Sequence, residues 1–409
     1  MEIRPILSAL LRNKTGPILV ALQVALSLAL LANALHIVNE RRTVAARPSG
    51  LLDEAATFYF QVRSLNNDTP EQMLATIKRH TEILRGVPGV LSVAHVSQMP
   101  LSNSGSTSSM SATRDPQQET TSAAMYVSGD SLVQTFGLQL VEGRDFLPGE
   151  LVDINEQQER TPPRTVIITK ALADRLWPGA SAIGKTMYFG TGDAPGAMVV
   201  GVVERLQTAH VQIGDLGEFS VIMPARLYGA AGAIYAVRAE PGQRDRIIKD
   251  AEQALRKSSL IPMILETATV EQDRQKRYRA DMALSWMLVT VSVLLLLVTC
   301  SGIVGMASLW VTQRRKQIGV RRALGARKID ILRYFIVENV LITSAGVAGG
   351  VLLGVGLNGL LVSKLEMTRL PLVYLAGGAL MFWTIGILAA YGPAWRAAST
   401  SPALATRST

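Results

Sequence analysis

Residues 282–313 read MALSWMLVTVSVLLLLVTCSGIVGMASLWVTQ and contain no Asp, Glu, Lys or Arg. A helix of about 20 apolar residues crosses the hydrocarbon core of a bilayer, and a run this long lacks the polar face of a soluble helix. At 1.5 Å per residue it would be roughly 45 Å long, so we expect it to tilt or to protrude from the membrane. Residues 15–39, 339–363 and 370–395 are also free of charged side chains. The sequence therefore predicts four transmembrane helices.

The first of these runs follows a basic start with Arg4, Arg12 and Lys14, as the core of a signal peptide also does. Its apolar stretch is longer than the ~7–15 residues of a signal core. Arg41 and Arg42 also stand just before the Ala-Ala pair that could imitate a cleavage site. We interpret the run as a retained transmembrane helix, with a cleaved signal peptide as the alternative.

The charges of the chain are distributed unevenly. Its formal net charge is +9, yet only 18% of its residues are charged, against about 25% in soluble proteins. Seven cations with no acid among them crowd residues 314–328, in a loop over 314–333 that we call the basic loop. They are Arg314, Arg315, Lys316, Arg321, Arg322, Arg327 and Lys328. Short loops rich in Lys and Arg stay in the cytoplasm, so this loop and both termini are predicted to be cytoplasmic, with residues 40–281 outside.

The same cluster bears on the kind of partner. It lies against the membrane and has no interleaved aromatic side chains, so we expect contact with membrane lipid and no nucleic-acid binding. Cys300 is the only cysteine, which excludes an intramolecular disulfide and a Cys-based zinc cluster.

We predict a membrane protein with four transmembrane α-helices and an α+β extracytoplasmic domain, built as a split βαβ unit with a mostly β insertion. The predicted organisation is 1–39 (cytoplasmic segment and first span), 40–281 (outer domain, insertion about 101–221), 282–313 (second span with stalk), 314–333 (basic loop), 334–363 and 370–395 (third and fourth spans) and 396–409 (cytoplasmic tail).

The outer domain shows two strand–helix pieces, which suggest the split βαβ unit. The first has strands at 56–63 and 90–96 around a helix that Thr69 and Pro70 start. The second has a strand at 233–239 and a helix at 244–257. Residues 101–121, rich in Ser, Thr and Gln, are predicted to be a mobile loop. Residues 271–279 contain no Gly or Pro, so we expect one continuous helix, a stalk, into the second span.

Small residues recur every four positions in two spans: Ala21, Ala25, Ala29 and Asn33 in the first, and Gly346, Gly350 and Gly354 in the third. Such faces allow close helix packing, either within one bundle or across a dimer seam. Gln23, Asn33 and Asn358 are candidates for contacts between helices. Glu338, at the start of the third span, is expected to be held by Arg333 or to reach the membrane interface.

Residues 179–186 (GASAIGKT) match the phosphate-binding loop pattern in full, with Gly179, Gly184, Lys185 and Thr186 at its fixed positions. Such a loop cradles phosphates with backbone N–H groups, follows a strand and opens a helix. Here a predicted helix precedes the loop, a predicted strand follows it, and the loop is predicted to lie outside the cytoplasm. We interpret the match as a structural turn and predict no cofactor-binding site.

No catalytic constellation stands out. The four histidines, His36, His80, His95 and His210, are dispersed along the sequence and show no metal-ligand spacing. The Ser-rich stretches lack a G-x-S-x-G elbow. We therefore predict no catalytic residue and no metal site.

Several segments resemble known families of membrane permeases. Residues 311–331 (VTQRRKQIGVRRALGARKIDI) and 393–405 (PAWRAASTSPALA) resemble the cytoplasmic loop and closing segment of FtsX-like permeases, the membrane subunits of a class of ABC transporters. Residues 136–146 (FGLQLVEGRDF), with shorter matches at 180–185 and 199–203, resemble the periplasmic core of MacB-like exporters. The resemblance covers nearly the whole chain.

The resemblance assigns a role to the basic loop. It implies a short amphipathic coupling helix over 317–324, with Ile318, Val320 or Arg321, and Leu324 on one side, ended by Gly325. The residues predicted to contact the ATPase are Arg314, Arg315, Lys316, Ile318, Gly319, Arg321, Arg322, Ala323, Leu324, Gly325 and Ala326. The alternative is a basic loop that serves only membrane topology.

The resemblance also implies partners. MacB-like exporters carry their ATPase domain on the same chain and this sequence shows none, so the chain resembles a permease, not itself an enzyme, whose ATPase with ATP and Mg²⁺ is a separate polypeptide. The family works as a dimer of permease chains in the inner membrane by mechanotransmission, and an exporter adds a periplasmic adaptor and an outer-membrane duct. The alternatives are a lipoprotein-release permease, an FtsX-like regulator of a cell-wall hydrolase, or a membrane-anchored sensor.

Overall fold

The computed structural model describes residues 14–66, 68–158, 162–210, 215–230, 232–258, 262–365 and 368–399. The chain divides into two compact units: Val44–Ala280, the outer unit, and Met1–Thr43 with Asp281–Thr409, the membrane unit. Arg4, Arg12 and the tail from 400 onward, all used in the sequence predictions, lie outside the described residues.

The helices are α1 (Thr15–Ala45), α2 (Pro70–Arg85), α3 (Leu132–Phe136), α4 (Lys170–Leu176), α5 (Arg244–Ser258), α6 (Val270–Gln313), α7 (Arg315–Ala323), α8 (Lys328–Leu365) and α9 (Leu372–Ser399). The strands are β1 (Thr57–Ser64), β2 (Val90–Val96), β3 (Thr107–Met110), β4 (Thr121–Ser128), β5 (Leu140–Gly143), β6 (Val152–Asn155), β7 (Thr165–Thr169), β8 (Thr186–Tyr188), β9 (Gly196–Val203), β10 (Ser220–Tyr228), β11 (Gly232–Ala239) and β12 (Met263–Thr269).

The first and last elements of the outer unit form the predicted split βαβ fold. Their strands lie in the order β12-β1-β11-β2, and each neighbouring pair is antiparallel. Helix α2 begins as predicted, because the Thr69 hydroxyl accepts the Gln72 N–H while the Gln72 side chain accepts the Thr69 N–H. Ile77 of α2 and Ile247 of α5 pack in one buried cluster with Phe58 of β1, so both helices cover the same face of the sheet.

The insertion between β2 and β11 is strand-rich, as predicted. It continues the same sheet in the order β4-β10-β7-β9-β5, joined to β2 through the single pair Val96–Ser128. Strand β10, which lies between β4 and β7, was missed by the sequence analysis. The reason is Pro224, which pairs with Ser128 inside this strand, whereas proline usually argues against a central strand.

The prediction of a mobile loop at 101–121 is wrong. Strand β3 pairs antiparallel with β4, and Ser111 and Tyr188 exchange backbone hydrogen bonds at 3.0 and 2.9 Å. Leu101 and Met110 are fully buried. The segment was misread because backbone pairing orders a Ser- and Thr-rich edge strand that lacks the apolar alternation of a typical strand.

Among the described residues, α1, α6, α8 and α9 are long and apolar enough to cross a membrane, which confirms the predicted four spans. Helix α6 has 44 residues, roughly 66 Å at 1.5 Å per residue. It contains both the predicted stalk residues 271–279 and the second apolar run without interruption. The predicted continuous helix is therefore confirmed.

Helix α1 packs at the centre of the membrane unit. Its Leu28 is fully buried in a cluster with Ile303 of α6, Ile342 of α8 and Phe382 of α9. The small residues of α1 and α8 meet each other. A Cβ added to Gly346 would lie 2.7 Å from the Ala21 carbonyl oxygen, and one on Gly350 would lie 3.0 Å from that of Ala25.

Asn33 completes this contact, donating to the carbonyls of Ala29 at 2.9 Å and Gly354 at 3.2 Å. The two small-residue faces thus pack within one bundle, as the first interpretation held. Asn358 accepts the N–H of Leu370 at 2.9 Å. Leu370 lies between α8 and α9, so this is not the contact between helices that was expected.

Candidate partner-binding site

The basic loop forms a helix, as predicted, which begins directly after Arg314 and ends at a turn around Gly325. Helix α6 ends at Gln313, α7 runs over Arg315–Ala323, and α8 begins at Lys328. Gly325 follows α7 with a φ of +96°, a left-handed conformation that glycine adopts without steric cost. The loop is therefore a helix with a defined end, not an irregular connection between α6 and α8.

The inward face of α7 fixes the helix to the membrane unit. Ile318 is buried and packs with Ile331 and Phe335 of α8 and with Ala394 and Ala398 of α9. The prediction that Ile318 and Leu324 lie on the same side of the helix is wrong. Six residues of helix correspond to about 600° of rotation, so the two side chains point in different directions.

A buried ion pair fastens the start of the loop. The Arg314 guanidinium donates to Glu338 at 2.9 Å and reaches the Tyr334 hydroxyl at 3.4 Å, and Glu338 is only 1% exposed. Glu338 is thus held by Arg314, not by Arg333 as expected. Because a buried carboxylate needs a charged partner, Arg314 positions the loop instead of facing outward with the other cations.

The outward face of the loop carries apolar side chains without a covering. Leu324 is 83% exposed, Val320 is 53% exposed, and Ile329 at the start of α8 is 65% exposed. Val320 and Leu324 lie one turn apart and share a face of the helix. Ile329 was not among the predicted site residues, and it enlarges the exposed apolar group of Val320 and Leu324. Its position after the Gly325 turn is the only signal in the sequence that could have indicated this.

Cations surround these apolar groups. Arg315 and Lys316 are exposed, and Arg321 lies over the ring of Tyr334 at 5.2 Å. Ala323 is exposed and Gly319 is buried, while the side chain of Arg322 lies outside the described residues. An apolar centre with a cationic rim is the arrangement that a groove with apolar walls and acidic edges would bind.

The residues 179–186 form a turn between α4 and β8, so the elements around the phosphate-loop match are those predicted. Gly184 donates its N–H to the Val199 carbonyl and Lys185 to that of Ala182, at 2.8 and 3.1 Å. The Lys185 ammonium lies 5.4 Å from the ring centre of Trp177. These groups serve the local fold, and the absence of nucleotide binding stays a prediction.

Two histidines that are distant in sequence meet in the outer unit. His80 of α2 lies 3.2 Å from the Tyr235 hydroxyl, and His95 is the strand partner of Tyr235. Burial lowers the pKa of each imidazole to about 4, helped at His80 by Arg79. His80 and Tyr235 also line a pocket of about 350 Å³. Within the described residues no group of His, Cys, Asp and Glu could hold a metal ion.

The sequence matches two family models that together cover most of its length. Residues 19–255 match the MacB-like periplasmic core domain, and residues 289–402 match the FtsX-like permease C-terminal segment. The MacB model alone covers more than half of the chain.

Named relatives agree with these matches. A macrolide export ATP-binding/permease protein, MacB, of Chromobacterium violaceum is 28% identical over 283 residues, which are 67% of this chain and 42% of the relative. An uncharacterized ABC transporter permease, YvrN, of Bacillus subtilis is 24% identical over 69% of each chain. The chain spans only 28% of the MacB relative of Syntrophobacter fumaroxidans, at 29% identity over 48% of this chain. The periplasmic region of MacB from Actinobacillus actinomycetemcomitans aligns over 57% of this chain and 97% of its own, with 14% identity and a TM-score of 0.34.

Proposed function

The chain belongs to the family of ABC transporter permeases that combine a MacB-like periplasmic core domain with an FtsX-like C-terminal segment, and from this membership we propose that its basic loop binds the ATPase of the transporter. We propose further that this ATPase is a separate subunit, which carries the ATP and Mg²⁺. The relatives of the present chain include both ATP-binding/permease fusions and a chain named as a permease.

The outward face of α7 is the observation that carries this proposal. The helix is held on one side by the Ile318 cluster and by Arg314, so its other side is presented in a fixed orientation. Exposed apolar side chains in a rigid frame are typical of protein interfaces. A loop that served only topology would need the cations but not Leu324 and Val320.

We propose that the chain works by mechanotransmission. ATP binding would move the ATPase subunits and the basic loops, and α6 would carry this motion to the outer domain. The unbroken helix from Val270 to Gln313 supports this proposal. The four apolar runs contain no charged side chain, which disfavours a polar path for substrate through the bundle.

The finer assignment is export from the inner membrane. We propose that both termini are cytoplasmic, that the outer domain is periplasmic, and that two permease chains pair and work with a periplasmic adaptor and an outer-membrane duct. The printed names of relatives, macrolide export and pyoverdine export proteins, support export as the direction of transport.

The proposal is tested with Leu324→Asp in the tagged full-length chain. A carboxylate at the centre of an apolar contact should weaken ATPase binding by at least about tenfold, while membrane insertion stays intact. The measurement is quantitative pull-down from native membranes, followed by titration of the ATPase that co-purifies with the wild-type chain.

The matched control is Gln317→Asp, which adds the same charge to an exposed polar position of the same helix. It should bind the ATPase within about threefold of wild type. Normal binding by Leu324→Asp would refute the coupling assignment. Capture of a cell-wall hydrolase in place of an ATPase would favour the regulator of cell-wall hydrolysis.

A further inference from the structure

The first turns of α6 are built into the core of the outer unit. Val270 and Tyr278 are buried in its largest apolar cluster. The Tyr59 hydroxyl of β1 donates to the Asp273 carboxylate at 2.7 Å. The Thr269 hydroxyl accepts the Gln272 N–H at 3.1 Å, which caps the helix. The start of α6 is thus rooted in the sheet through packing and hydrogen bonds.

Arg274 lies between these anchors and binds a different segment. Its guanidinium forms a two-bond pair with Glu54, at 2.6 and 2.8 Å. It also donates to the carbonyl oxygens of Ala45 at 2.8 Å and Arg47 at 3.0 Å. One side chain thereby engages three residues of a short segment, 45–54, which we call the strap. The strap is the stretch through which the chain enters the outer unit after α1.

The strap itself is fixed in the outer unit. Gln207 donates its side-chain amide to the carbonyls of Arg47 and Pro48, both at 2.9 Å, and its N–H to that of Ser49 at 2.8 Å. Ser49 is fully buried, and its hydroxyl donates to Glu54 at 2.6 Å. The carbonyls of an irregular buried segment must find donors, and here the donors come from Arg274 and Gln207.

A second fastening lies in the membrane unit, where Arg41 of α1 pairs with Asp281 of α6. The chain passes between the two units twice, once along α1 and the strap and once along α6. Arg41 of α1 binds α6 in the membrane unit, and Arg274 of α6 binds the strap in the outer unit.

We propose that Arg274 is a positioning residue for force transmission, a latch that makes the strap and the root of α6 move together when α6 is displaced. The inference rests on the proposed function, since it concerns how the motion of α6 enters the outer domain. The fork of the guanidinium is suited to this role, because it can hold a carboxylate with two bonds and still donate to carbonyls. A lysine could replace the charge but not the set of bonds.

The test compares the full-length chain in complex with its co-purified ATPase, in nanodiscs, without nucleotide and with ATP plus orthovanadate. Hydrogen exchange followed by mass spectrometry measures the nucleotide-dependent difference in residues 45–54 and in 270–280. In wild type both segments should show the difference. In Arg274→Gln the ATPase should stay bound and active, and α6 should still respond, but the difference in the strap should be lost. Arg274→Lys should fall between the two.

The control is Arg256→Gln, which breaks an exposed pair with Glu252 on α5 and should keep both differences. An unchanged nucleotide-dependent difference in the strap of Arg274→Gln would overturn the latch. A purely structural role would raise exchange in both nucleotide states and leave their difference in place, which also overturns it.

Failure of the proposed function gives another result, namely no ATPase co-purifying with the wild-type chain. The latch is then examined on the chain alone, through exchange of the strap in Arg274→Gln, Glu54→Gln and the double variant. Equal effects of the single and double variants show that Arg274 and Glu54 act as one contact, which the latch requires, and additive effects refute it.

Discussion

The two ends of α6 are built in opposite ways. At its outer end, Val270, Asp273, Arg274 and Tyr278 all find partners within the outer unit. At its other end, the helix passes into the basic loop, where Ile318 and Arg314 make the inward contacts. The outward face of that loop leaves Leu324 83% exposed. One end has its contacts within the chain, and the other exposes apolar side chains that the proposed ATPase contact would cover.

This difference shows where to expect stability effects and where to expect binding effects. A substitution at the outer end should change how firmly the outer unit holds the helix. A substitution on the outward face of α7 should change the affinity for another protein and leave the fold alone. Arg314 lies between these cases, because it is in the loop but makes a buried contact.

Deletion of residues 102–121 should have the largest effect. Composition suggested that this segment is dispensable, but the deletion removes β3 and the buried Met110, and it removes Asn103, which accepts from Arg277 of α6 at 3.0 Å. Loss of the Met110 side chain alone should cost about 2–5 kcal/mol, out of a total of roughly 5–15 kcal/mol for a domain. We expect the outer unit to unfold, measured by limited proteolysis.

Its control is a deletion of residues 115–119, which are exposed and lie between the two paired strands. That shorter deletion should leave the protease pattern unchanged. A folded outer unit after the longer deletion would mean that β3 contributes little and that the loop interpretation was better.

Arg314→Gln should have the next largest effect. It leaves the buried Glu338 without its cation, and breaking one partner of a buried pair costs about 3–5 kcal/mol. We expect α7 to lose its fixed orientation, seen as faster hydrogen exchange over 315–323 and weaker ATPase binding. Lys316→Gln, which removes an exposed cation from the same helix, should leave the hydrogen exchange over 315–323 unchanged.

The double variant Arg314→Gln with Glu338→Gln sharpens this test. It removes the unpaired charge and should recover part of the lost order. If residues 315–323 of Arg314→Gln exchange at the wild-type rate, the ion pair does not hold the loop, and Arg314 does not act on the stability of the loop.

Mild acid should have the smallest effect and should act on the outer unit alone. The pKa of His80 and that of His95 are each lowered to about 4, against about 6.5 in an unfolded chain. The unfolded state therefore binds more protons below pH 6.5, and stability falls as the pH drops. From pH 7.5 to 6 the loss should be about 0.8 kcal/mol per histidine, or a Tm decrease of about 3–6 °C for both.

Thermal unfolding of the full chain at the two pH values measures this shift. His80→Gln and His95→Gln should each remove about half of it. His210→Gln, at a half-buried position beside Gly105, should leave it unchanged. The basic loop has no histidine, so its exchange rates, corrected for intrinsic chemistry, should not follow the same dependence.

Local signals in the sequence predicted most of the fold. The charge-free runs predicted the spans, Thr69 and Pro70 predicted the start of α2, and the regular spacing of Gly346, Gly350 and Gly354 predicted a packing face. Each of these depends on residues within a few turns of one another. The same holds for α7, where Gly325 marks the end of the helix.

The contacts that were missed join residues far apart in the chain. Arg314 and Glu338, Arg274 and Glu54, and His80 and Tyr235 meet only after the helices and strands have packed. Charge alone offered Arg333 as the partner of Glu338, because it is nearer in sequence. The site could likewise be predicted as a basic helix, but which side faces outward depended on the contacts of Ile318 with α8 and α9.

The central place of α1 has a consequence for biosynthesis. This helix is made before the other three spans, yet its buried partners Ile303, Ile342 and Phe382 all come from those later helices. At ~5–20 residues per second, synthesis of the intervening outer unit takes on the order of ten to fifty seconds. During that time Asn33, Ser27 and Gln23 of α1 have none of their later neighbours available. The nascent chain must therefore keep a lone, partly polar helix in the bilayer until the three later spans arrive, and the membrane insertion machinery is the natural place for it to wait.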